Sequence, residues 1–99
     1  MPVHAIVHVT GGGLTRRLPN LVSHRRGLRV RLRPTSWRVP AVFQLIQRSG
    51  RVSSDEMAAT FNMGIGMAVV CRAADAATAI RVMARAGIPA WNIGTLERK

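Results

Sequence analysis

PVHAIVHVTGGGLT, residues 2 to 15, decides how the rest of the chain is read. Its first half alternates: Val3, Ala5, Val7 and Val9 fall on one face of an extended segment and His4, Ile6 and His8 on the other, which is a strand signature. Gly11, Gly12 and Gly13 then end the strand, and LTRRLPNLV opens a helical turn or two before Pro19 interferes. Strand, glycine turn and helix start follow one another in order.

Further on, Leu28, Val30 and Leu32 alternate with Arg29, Arg31 and Arg33, which predicts a half-buried or edge strand with an arginine outer face, closed by Pro34. Pro40 suits the first turn of a helix in which Val42, Leu45 and Ile46 repeat at i, i+3 and i+4 until Gly50 ends it. Ser53 with Glu56 three residues on matches a capping box and starts a short helix carrying Met57 and Phe61. Met67 to Cys71 is an apolar run of strand length, and Cys71 is expected to be a buried strand residue. Residues 73 to 86 predict the clearest helix, with Ile80, Met83, Ala84 and Gly87 on one face, Gly87 as its left-handed stop and Pro89 against continuation. Trp91 to Leu96 supplies a last strand. The order β-α-β-α-α-β-α-β predicts an α/β fold, an α+β layered sandwich, in a single domain over residues 1 to 99.

Ninety-nine residues with 47% apolar side chains make one small packed domain, with about 60 to 65% of the unfolded surface buried and marginal stability. The longest nearly apolar run, Met63 to Cys71, falls well short of the roughly 20 residues of a spanning helix, so no membrane association is expected. The N-terminus has no secretory pattern, and a cytoplasmic location is the expectation. One cysteine excludes an intrachain disulfide. Fifteen basic residues, fourteen of them arginine, face four acids, for a net charge of +11. Eight arginines lie between residues 16 and 38, ahead of the first acid, Asp55, so anionic partners are expected.

HVTGGGLT, residues 8 to 15, is the strongest local signal for chemistry. Consecutive glycines after a strand let backbone approach a ligand closely, with amides at a helix start pointing outward to hold phosphate; the same cluster also makes ordinary strand-to-helix turns. His4 and His8 share a strand face, yet their Cα atoms stand about 13 Å apart, too far for one metal ion. His8 either donates to a bound anion and moves a proton or is a hydrogen-bonded structural residue. In TFNMGIGM, residues 60 to 67, Asn62 either binds ligand or caps a turn. Asp55, Glu56, Asp75 and Glu97 form no general acid/base pair, and no metal site is expected.

Four ordered blocks carry a resemblance: HAIVHVTGGGLT (4 to 15), SWRVPAVFQLIQ (36 to 47), SSDEMAATFNMGIGM (53 to 67) and AWNIG (90 to 94). Together they resemble the C-terminal region of the aminoimidazole ribonucleotide synthetases, the phosphoribosylformylglycinamidine cyclo-ligases. The resemblance implies the family's C-terminal three-layer α/β domain, here incomplete. It also implies ATP- and Mg²⁺-dependent activation of the amide oxygen of formylglycinamidine ribonucleotide, so that an amidine nitrogen closes the imidazole ring with release of ADP and phosphate. By match, Thr10, Gly11, Gly12 and Gly13 become binders of a phosphate or phosphoryl group of the phosphorylated substrate, with His8 as the catalytic residue and Asn62 beside it in the cleft.

Two departures accompany the match. The family follows its glycines with a Glu-Asn pair where Arg16 and Arg17 stand here, reversing the local field, and Arg33 stands near an acid of the family's Ser/Thr-Trp element. The resemblance further implies that most nucleotide binding and the dimer contact belong to an N-terminal ATP-binding domain. The sequence begins at the motif strand, so an inactive fragment by itself is expected, needing such a domain or a homodimer partner. The rival expectation is a basic nucleic-acid-binding module using residues 16 to 38. With one aromatic, Trp37, and no recognised reading motif in that span, it is the lesser reading.

Overall fold

The computed structural model describes residues 3–10, 12–22, 27–33 and 35–99; the expectations placed on Gly11, Arg25, Arg26 and Pro34 lie outside these. In chain order come β1 (Val3–His8), α1 (Gly13–Arg17), a 3₁₀ turn (Leu18–Val22), β2 (Leu28–Leu32), α2 (Ala41–Gly50), α3 (Ser54–Thr60), β3 (Met67–Cys71), α4 (Ala76–Arg85) and β4 (Gly94–Arg98). The mixed α/β class follows the expected order. The strands form two separate two-stranded antiparallel sheets, β1 with β3 and β2 with β4.

Alternation explains the strands. Ala5 and Val7 of β1 are half-buried and Val9 is 2% exposed, while His4, Ile6 and His8 lie on the open side. Leu28, Val30 and Leu32 turn inward in β2 and Arg29 and Arg31 outward. Between the sheets sits one core: Val9, Leu14, Leu18, Leu21, Val22, Trp37, Ile65 and Ala68. Trp37 is anchored in it by an Nε1–H donated to the Met63 carbonyl at 3.0 Å, which satisfies the one polar atom of a buried indole. Met57 of α3 is fully buried.

Helix ends follow local rules with two corrections. Ser53 caps α3 as expected, its Oγ accepting the Glu56 N–H at 3.2 Å. Gly87 (φ +79°) ends α4 with Gly87 N–H donated to Ala84 O and Ile88 N–H to Met83 O, the paired bonds of a Schellman stop. The first three residues of the helix expected over 73 to 86 instead make a 3₁₀ turn, Ala73–Asp75. Gly50 was expected to end α2 but stays inside it. Arg51 takes the left-handed position (φ +53°), with its N–H on Arg48 O and the Val52 N–H on Gln47 O.

Three further corrections concern what these elements face. Val42, Leu45 and Ile46 of α2 are exposed, because α2 meets α3 through Phe43, whose ring lies 5.7 Å from that of Phe61. Cys71 is only half-buried, at the open end of β3. The last strand starts at Gly94, three residues late, because its register is fixed by β2: Gly94 pairs with Leu32 and Leu96 with Val30.

Candidate functional site

The glycine turn is built for contact between helices. Gly12 is left-handed (φ +96°) and accepts the Arg16 N–H on its carbonyl. The Gly13 N–H donates to Thr10 O at 3.0 Å, and the next amide, of Leu14, donates to Phe61 O at 3.2 Å. A Cβ on Gly13 would strike Ala58 O and stand 2.5 Å from Phe61 O and 2.8 Å from Phe61 N. The Gly13 N–H, expected to face a phosphate, is spent within the turn in this structure, and the residue is small so that α1 can lie against the end of α3. With five residues, α1 is also too short for a helix dipole of consequence.

Folding the turn onto α3 makes a concavity beside it. An open cavity of about 280 Å³ is lined by Val9, Thr10, Phe43, Thr60, Phe61 and Asn62. Thr10 and Asn62, both expected as site residues and 52 positions apart, thus line the same cavity. Asn62 also fulfils its turn role, since its Oδ1 accepts the Gly64 N–H at 2.9 Å. That bond fixes the carboxamide and leaves Nδ2 as the group able to donate to a ligand. The cavity combines two phenyl rings, two hydroxyls and one carboxamide, with no charged group among its lining residues, and suits a small, flat, hydrogen-bonding moiety.

His8 is not in this cavity. It lies exposed on the outer side of β1, opposite Met67 of β3, so it reaches a reacting group only from that side. Phe43, Thr60 and Phe61 were missed as site residues. Thr60 and Phe61 adjoin Asn62, but Phe43 lies one position off the apolar stripe of α2, and only its contact with Phe61 draws it in.

Arginines elsewhere on the chain are partly committed to acids. Arg29 and Arg31 share the Glu97 carboxylate at 3.2 and 3.1 Å, and Arg72 pairs with Asp75 at 3.2 Å. Partial desolvation pushes the Glu97 carboxyl up, but the hydrogen bonds and charges of Arg31 and Arg29 prevail and hold it below the ordinary carboxylate value. Arg33 donates Nη2 to both Asn92 O and Asn92 Oδ1 at 2.6 Å, tying the start of the Trp37 loop to the segment before β4. Among the described residues, no three His, Cys, Asp or Glu side chains gather to hold a metal ion. No described helix is long and apolar enough to cross a membrane.

Over residues 1–99 the chain matches the family described as AIR synthase related protein, C-terminal domain. Curated relatives called phosphoribosylformylglycinamidine cyclo-ligase include those of Burkholderia mallei (strain SAVP1), 45% identical over 95 residues, and Burkholderia ambifaria (strain MC40-6), 43% identical over 97. The Cupriavidus necator relative of the same name is 39% identical over 99 residues. These alignments cover 96%, 98% and 100% of this chain, yet only 26%, 27% and 28% of the respective relatives. The chain belongs to the AIR synthase related proteins, as part of their C-terminal domain.

Proposed function

We propose that this chain forms the substrate-facing lobe of a phosphoribosylformylglycinamidine cyclo-ligase, with the cavity between Thr10 and Asn62 holding part of formylglycinamidine ribonucleotide while its imidazole ring closes. The observation that carries this reading is the convergence of two separate family blocks, TGGG and TFNMGIGM, on one cavity within a chain that matches the family over its whole length. The Thr10 and Thr60 hydroxyls and the Asn62 Nδ2 orient the substrate by hydrogen bonds, and Phe43 and Phe61 shield one face of the forming ring from water. Holding the amidine nitrogen against the carbonyl carbon in this way fixes the internal rotations that must be frozen before the ring can close.

ATP and Mg²⁺ belong to the reaction but not to this lobe. No three acidic, histidine or cysteine side chains gather among the described residues, and the Gly13 and Leu14 amides are taken up by protein carbonyls, so these residues do not fit either group. An ATP-binding domain outside these 99 residues supplies them in this reading, and phosphoryl transfer, which rests on positioning and charge stabilisation, takes place there.

A chimera tests the proposal: this chain replaces the matching segment of the Burkholderia mallei relative, and ADP release with formylglycinamidine ribonucleotide is followed. Turnover is expected from the chimera and none from the 99-residue chain alone. Thr10→Val and Asn62→Asp, which removes the donor but keeps the turn-capping oxygen, should each lower kcat/KM about tenfold or more with an unchanged melting curve. A folded chimera without turnover, or full activity in both variants, would sink it.

A further inference from the structure

Two segments that meet at the cavity are also joined behind it. One runs from Trp37 through Pro40 into α2 and brings Phe43; the other, residues 60 to 66, brings Thr60, Phe61 and Asn62. Trp37 is 8% exposed, and its Nε1–H is donated to the Met63 carbonyl at 3.0 Å. Further along the first segment, the Pro40 ring lies against Gly64, where a Cβ would strike Pro40 Cδ. The corner at Met63 and Gly64 is thus held by an indole on one peptide and a proline ring beside the next residue. Both corner residues are left-handed, at φ +55° and +96°. Glycine tolerates this freely; for methionine it is a conformation that persists only where neighbours fix it.

One peptide unit carries the connection. The Met63 carbonyl and the Gly64 N–H belong to the same planar trans group, so they point in opposite directions and cannot turn independently. The carbonyl accepts from Trp37 Nε1, and the N–H donates to Asn62 Oδ1 at 2.9 Å. The Ile65 N–H closes the turn on the Asn62 carbonyl at 3.0 Å. A donor on the carbonyl side polarises the peptide and strengthens the bond that its N–H makes. Rotating the plane away from the indole would pull the N–H off Oδ1 and release the carboxamide. A half-turn of the carboxamide itself would set two donors against each other, Nδ2 against the Gly64 N–H. The indole therefore decides which end of Asn62 is committed to the turn and which end is offered.

We propose that Trp37 is a positioning residue for the cavity: acting through the Met63–Gly64 peptide, it holds the Asn62 carboxamide with Nδ2 as the donor presented to the ligand. The ligand group recognised there is then a hydrogen-bond acceptor. Pro40 adds to this by keeping Gly64 against the start of α2, which ties the Asn62 corner to the helix that carries Phe43. The role in turnover rests on the cavity being the substrate site. The link from Trp37 to Asn62 stands on geometry alone and is measurable without substrate.

Replacing Trp37 by benzothienylalanine, which keeps the bicyclic shape and lacks the N–H, tests the proposal; Trp37→Phe is the second variant. In the 99-residue chain, exchange of the Gly64 and Ile65 amides should quicken about fivefold or more, while the Met57 amide, donated to Ser53 O at the start of α3, keeps its protection. In the chimera with the Burkholderia mallei relative, the same replacement should lower kcat/KM about tenfold, yet change it less than about twofold where Asn62→Asp has already removed the donor. A role confined to packing would make the two losses multiply, and that result would overturn the assignment. So would unaltered exchange at Gly64 and Ile65, or faster exchange of all amides alike, Met57 included. A chimera that folds without turnover would fail the substrate reading instead, with selective quickening at Gly64 and Ile65 still upholding the hold of Trp37 on Asn62.

Discussion

Gly13 shows how much one side chain can decide. Its φ of +61° is a conformation that L side chains rarely adopt, and the space beyond its Cα is filled by the carbonyls of Ala58 and Phe61. Gly13→Ala therefore forces α1 away from α3, breaks the Leu14 N–H bond to Phe61 O and deforms the wall that carries Thr10. Overpacking and backbone strain together should destabilise the chain by about 2–4 kcal/mol, enough to unfold much of a marginal domain, and urea melts would measure it. An unchanged midpoint would show that the two helices are free to separate. The glycine cluster was legible as a turn from its neighbours alone. The need for glycine at this position was not, because the atoms that demand it come 45 or more residues later. The Ser53 cap and the Gly87 stop were legible because each is settled within one turn of helix.

At the scale of elements, pairing between β2 and β4 links charge to stability. Glu97 is held below the ordinary carboxylate value chiefly by Arg31 and Arg29, against the upward push of its partial desolvation. A depressed folded-state value means that the pair stabilises the fold at pH above the ordinary carboxylate value and loses that contribution as pH falls through the folded one. Thermal melts of the parent and Glu97→Gln should thus differ at pH above the ordinary carboxylate value and converge only once pH has fallen below the depressed folded one, where the parent carboxylate is protonated. Parallel curves throughout that range would show that the two arginines contribute nothing through Glu97. The arginine face of β2 could be read from alternation, but Glu97 as its counterpart could not, since 66 and 68 residues separate the partners. The helix expected most clearly from its sequence has little support from packing, as has α2. α4 buries no residue, and Val82 is 53% exposed. Amides of residues 80–86 should therefore exchange with solvent at least tenfold faster than the Val9 amide, which donates to Gly66 O inside the core. Equal protection would mean that α4 unfolds only with the whole chain. Periodicity identified the helix correctly because it is local; it carries no information about whether a surface waits opposite the stripe.

On the scale of the whole molecule, these open stripes share a cause. The radius of gyration is 14.1 Å, whereas about 12.6 Å is usual for 99 residues, and the extents of 42 × 35 × 20 Å describe a slab. A slab with one core between two narrow sheets leaves apolar side chains on its broad faces: Ile6, Met67 and Val69 on one sheet, Val42 and Leu45 on α2, Val82 and Ile88 at α4. Apolar side chains left on broad faces in this way favour self-association or dye binding in the native state. The 99-residue chain should accordingly enhance 1-anilinonaphthalene-8-sulfonate fluorescence without denaturant and sediment as a concentration-dependent mixture. Replacing Ile6 and Val69 by Thr and Leu45 by Gln should reduce both effects while changing the unfolding free energy by no more than about 0.5 kcal/mol per site, because exposed side chains lose little burial. The dye signal distinguishes this from ordinary charge-driven aggregation, since added salt would suppress attraction between charges but strengthen contact between apolar faces. A monodisperse chain with no dye enhancement would mean that these faces close on one another in solution, and that the slab is not the shape the isolated chain keeps.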